Sequence, residues 1–148
     1  MFDKTNSVKA LSEAIYFFLN YDALKKDPIE SKLLTEKNKD AYKGTISTHL
    51  ENIFNGLSNE EIENKLSSLF KNDVVDFSHV KPCSATYLAN KIYVFINYKE
   101  INKDAHNRGL VVLHPIEHYF HYIFIHLEDM FKSFTKEEIE LLISFLVK

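Results

Sequence analysis

Cysteine occurs once in this chain, at Cys83, which excludes an internal disulfide and suits a reducing compartment such as the cytoplasm. Glycine and proline number three each in 148 residues, so turns are scarce and long helices are expected. Arginine appears once among eighteen basic residues, at Arg108. No apolar run approaches the roughly 18 residues a membrane span requires. The N-terminal stretch has no adequate cationic region and no small-residue cleavage site, so neither export nor membrane insertion is expected. The sequence has no Gly-rich phosphate loop, Ser/His/Asp arrangement or cysteine pair. On that ground it reads as a protein that is not an enzyme and takes no cofactor.

Against these absences stand 45% apolar and 14% aromatic residues, enough for one folded domain with a real core. The net charge of −3 counts against a protein that is basic all over, but the charge is unevenly spread. Between Lys81 and Arg108 five basic residues face two acidic ones, so that window is +3 and the remaining chain −6. Phosphate attraction is local, screened within roughly 8 Å, so one basic face suffices for binding DNA.

Along the chain, Val8, Leu11, Ile15, Phe18 and Leu19 recur at helical spacing, with Tyr16 and Phe17 widening the stripe. The segment after Asn20 is expected to break this helix, and Pro28 suits a first helical position. Residues 29–55 read as helix interrupted near Lys43–Gly44, with Gly56 as a C-cap. Ser58-x-x-Glu61 and Thr135-x-x-Glu138 are capping boxes, each before an apolar-periodic run. The stretch 72–82 reads as a short helix or an extended connection.

From Ser84 the spacing predicts a helix with Ala85, Leu88, Ala89, Ile92, Phe95 and Ile96 on one face. Its other face, with Thr86, Tyr87, Asn90 and Lys91, is free of acids and suits a major groove, where Asn reads adenine and Thr meets a thymine methyl. Ile101–Lys103 and the β-branched run Gly109–Leu113 are strand candidates around a polar tip, Asp104–Arg108. Residues 116–132 then read as a strongly aromatic helix.

This order of elements, carried by LSNEEIENKLSSLF, KPCSATYLANKIYVFINYKEI, NKDAHNRGLVVLHP and FTKEEIELLISFLVK, resembles the MarR family of winged-helix transcription regulators, including its SarA-like branch. The resemblance implies a mainly α fold with a small β-hairpin wing, a winged helix-turn-helix in one domain. Residues 57–114 would be its DNA-binding part, and 1–56 with 115–148 a helical dimerisation region. It implies a cytoplasmic homodimer that binds double-stranded DNA and regulates transcription. Thr86, Tyr87, Asn90 and Lys91 are then expected in the groove, with Ser84, Lys99 and Lys103 on phosphates. Asn107 and Arg108 would form the wing tip, where a lone arginine suits a narrow minor groove.

Other readings stand beside this one. His114, Glu117, His118 and His121 are spaced as workable zinc ligands, but a complete site needs more donors, such as His49, His79 or Cys83. Beside so many rings these histidines read as packing residues, and no metal is expected. Cys83 lies at a helix N-terminus, where a thiol pKa falls, although a buried inert cysteine is the plainer reading. Arg108-x5-His114 loosely resembles the HEPN ribonuclease motif, but that motif needs a helix where the sequence is strand-like. The alternative to DNA binding is an α-helical protein–protein interaction protein of immunity or adaptor type, which the acidic balance favours.

Overall fold

Two helix starts are written into the sequence, and both form. Ser58 Oγ accepts from the Glu61 N–H at 3.2 Å while Glu61 accepts from the Ser58 N–H at 3.3 Å. Thr135 and Glu138 exchange the same pair at 3.3 and 3.1 Å. Each box satisfies two of the amide donors that a helix N-terminus leaves without partners.

The computed structural model describes residues 4–34, 38–71, 84–104, 109 and 114–147. Among them the helices are α1 (Lys4–Lys26), α2 (Lys39–Phe54), α3 (Asn59–Phe70), α4 (Ser84–Ile96), α5 (Tyr98–Lys103), α6 (Ile116–Phe131) and α7 (Lys136–Leu146), with a 3-10 turn at Glu30–Leu33. The chain divides into two units, Met1–Ile53 with Phe131–Lys148, and Phe54–Met130.

In the first unit α1 packs along α7 and against the 3-10 turn. Leu11, Ile15, Phe17 and Phe18 of α1 are buried, as are Tyr42 and Ile46 of α2 and Ile139, Leu142 and Ile143 of α7. The Tyr42 ring meets Phe17 edge-on at 5.4 Å. Each such side chain, fully buried, contributes about 1.5–3 kcal/mol of transfer free energy. The second unit rests on α3 against α4, with Ile62, Leu66 and Leu69 of α3 buried alongside the α4 stripe Ala85, Leu88, Ala89 and Ile92. Helix α6 joins it through a Phe95–Phe120 stack at 5.2 Å.

The expected β-hairpin wing is not borne out: among the described residues there is no strand, and every regular element is helical. Ile101–Lys103, expected as the wing's first strand, is the second half of α5. The Ile101 N–H donates to the Asn97 carbonyl at 2.9 Å, the Asp104 N–H to the Glu100 carbonyl at 3.3 Å, and Ile101 is 6% exposed. Three residues are too short for a period to show, and the burial of one isoleucine decides the backbone. The winged helix-turn-helix expectation falls with that hairpin. Of the second strand candidate, Gly109–Leu113, only Gly109 is among the described residues. Residues 110–113, the tip residues 105–108 and the 72–83 connection lie outside them.

Two smaller expectations also change. Helix α1 does not break after Asn20 but runs to Lys26: Asn20 donates its side-chain amide to the Tyr16 carbonyl at 2.9 Å, and Leu24 is buried one turn on. Helix α2 passes through Gly44 without interruption, with Tyr42 and Ile46 buried on either side of it. Asn38 starts that helix by accepting the Ala41 N–H at 2.8 Å. Gly56 ends the segment as expected, at φ +85°, a conformation that costs any other residue strain.

Candidate functional site

The sequence-selected side chains of α4 converge with α6 on one face of the second unit. Tyr87 pairs with His126, Lys91 with Tyr122 and Tyr119, and Phe95 with Phe120, so the two helices run antiparallel. The spacing explains the ladder: 87, 91 and 95 are one turn apart on α4, and 119, 122 and 126 lie three and four apart on α6.

Tyr87 is 55% exposed yet lies flat on the His126 ring, centroids 5.8 Å apart and planes 6° from parallel. Lys91 is half-buried, its Nζ 4.7 Å from the Tyr122 ring and 5.3 Å from the Tyr119 ring. An ammonium over an aromatic face is held by the ring's quadrupole, by about 0.5–2 kcal/mol depending on how far it is desolvated. At the far end the Tyr98 hydroxyl donates to the His114 carbonyl at 3.0 Å. The His114 ring meets His118 with their Nδ1 atoms 3.3 Å apart. In that contact one ring nitrogen donates and the other accepts, as the tautomers set.

Burial tunes the interior of the face. The His126 Nδ1 is out of reach of water and has no hydrogen-bond partner among the described residues. Desolvation holds the His126 pKa below its ordinary value; Lys91 adds to the lowering and Asp129 opposes it. Tyr119, 1% exposed, has its phenol pKa pushed up by burial first, then by Tyr98 and Tyr122.

The expected DNA contacts separate. Thr86 and Asn90 are exposed on α4, and Lys99 and Lys103 on α5, the latter 4.0 Å from Glu100. Ser84 is 2% exposed, which removes its hydroxyl from a phosphate-contacting role. Tyr87 and Lys91 face α6 as described, and Asn107 and Arg108 lie outside the described residues. Of the zinc candidates, His114 and His118 meet, whereas Glu117 and His121 are exposed. No group of three or more His, Cys, Asp or Glu side chains able to hold a metal forms among the described residues. His79 and Cys83 lie outside them, and His49 sits in the first unit.

The sequence reading missed Tyr119, Tyr122 and His126 as partners of α4, and Tyr98 as the partner of His114 and Tyr119. The signal was present in the polar aromatics at 114, 118, 119, 122 and 126, which recur at helical spacing as a second stripe beside the apolar one.

No protein-family model, curated protein or solved structure matches this chain. Among the described residues no helix is long and apolar enough to cross a membrane.

Proposed function

We propose that this chain is a non-catalytic, cytoplasmic helical interaction protein that docks a partner protein on its α4–α6 face. One observation carries the reading: Tyr87, more than half exposed, is held flat on His126 beside a lysine locked between two tyrosines. Preorganised aromatic side chains are the usual anchors of protein interfaces, because they bury large area at little cost in conformational entropy. The same geometry counts against the DNA reading, since Lys91 is engaged within the chain and Ser84 is buried. Ile125, 41% exposed on α6, adds an apolar side chain to the surface of the same unit.

A photo-crosslinking side chain placed at Thr86 or Asn90, both exposed on α4, tests this in cells that express the chain. The expected result is one predominant protein adduct that Tyr87→Ala weakens by about tenfold or more, as loss of an interface anchor does. Adducts to nucleic acid, or a protein adduct indifferent to Tyr87→Ala, would overturn the proposal.

A further inference from the structure

The first unit carries a second surface that the α4–α6 face does not use. An open groove of about 580 Å³ runs between α1, the 3-10 turn and the start of α7. Tyr16, Phe17, Leu33 and Phe134 give it an apolar lining, Lys132 and Lys136 supply cations, and Glu137 supplies one carboxylate. Lys136 is already engaged, lying 5.4 Å over the Phe17 ring and 3.6 Å from Glu13. Lys132 is exposed at the rim.

Beside this groove stands its chemical complement. Ile29 is 79% exposed, the most exposed large apolar side chain among the described residues, and Leu33 one turn on is 52% exposed. Asp27 accepts the Ile29 and Glu30 N–H groups at 2.8 and 3.3 Å, and the Ser31 hydroxyl donates to the Pro28 carbonyl at 3.2 Å. The turn is thus braced with Ile29 projecting, an apolar knob flanked by Asp27 and Glu30, with Lys32 the one cation of the turn. A knob of this kind cannot enter the groove of its own chain, because Leu33, one turn away, already forms that groove's edge.

We infer that the groove receives the Ile29 knob of a second copy of this chain, and that the second copy receives this one's in return. Knob and groove lie side by side on one patch, as a two-fold interface requires: the same surface on both partners, each feature meeting its complement. Glu30 of each copy then approaches Lys132 of the other, and two isoleucines leave water for an aromatic lining. Charge complementarity fixes the register, and the apolar burial supplies the affinity.

Sedimentation velocity on the full chain, from micromolar to sub-millimolar concentration, tests the inference. The wild type should show a monomer–dimer equilibrium. Ile29→Asp should weaken it by about thirtyfold or more, the loss expected for an interface anchor. Glu30→Lys and Lys132→Glu should each weaken it, and the two combined should restore it. These residues are exposed, so the helical circular-dichroism signal should be unchanged in every variant. A strictly monomeric wild type, a dimer indifferent to Ile29→Asp, or a charge swap that fails to rescue would each overturn the inference. So would a foreign protein occupying the groove of a chain that stays monomeric.

Discussion

Replacing Lys91 by methionine isolates the cation held between Tyr119 and Tyr122. Methionine keeps an unbranched stem and its packing but removes the ammonium, which stands 4.7 Å from the Tyr122 centroid and 5.3 Å from that of Tyr119. At exposed sites such a contact is worth about 0.5–1 kcal/mol, and more when desolvated. With two rings and a half-buried lysine, the expected loss is about 1–2 kcal/mol. In urea unfolding this appears as a lowered midpoint at an unchanged slope. A second readout follows from the same geometry. Lys91 helps hold the His126 pKa down, so Lys91→Met should raise it toward the ordinary histidine value, as followed by NMR titration of the imidazole. If both stability and the His126 titration stay unchanged, the ammonium stands free in solvent, and the braced-face account fails.

Two further outcomes follow from the structure. His49 and His126 both have pKa values lowered by burial, so their neutral forms favour the fold. Their contribution is present above the unfolded histidine value of about 6.5 and is lost as pH falls below it toward the depressed folded values. The urea midpoint should therefore drop between neutral pH and pH about 5, and His126→Phe should flatten part of that slope. Removing either capping hydroxyl, by Ser58→Ala or Thr135→Ala, should cost about 1 kcal/mol in the same unfolding assay, and Ser58→Asp should recover most of it.

Local signals in the sequence proved legible where one side chain decides the backbone. Ser58 with Glu61, Thr135 with Glu138, and Gly56 at positive φ each fix a helix end by their own chemistry. The apolar stripe of α4 was legible for a related reason, since 85, 88, 89 and 92 repeat with the helix period and are all buried. Tertiary packing overrode weaker signals. Asn20 and Gly44 looked like breaks, yet Leu24 and Ile46 bury just beyond them and the helices continue. Ile101 looked like a strand residue until burial made it part of α5. The candidate site was half legible. Tyr87 and Lys91 stood out by residue type, but which way they face depends on α6, much farther along the chain, and no local pattern encodes that partner.

The most direct test of the account is a titration of the full chain with mixed-sequence duplex DNA at low and at physiological salt, with Lys99→Ala/Lys103→Ala in parallel. With Lys91 held between two tyrosines and Ser84 buried, the account predicts no binding beyond weak, sequence-indifferent attraction that physiological salt abolishes. Sequence-selective binding that survives physiological salt and falls in the double variant would contradict it.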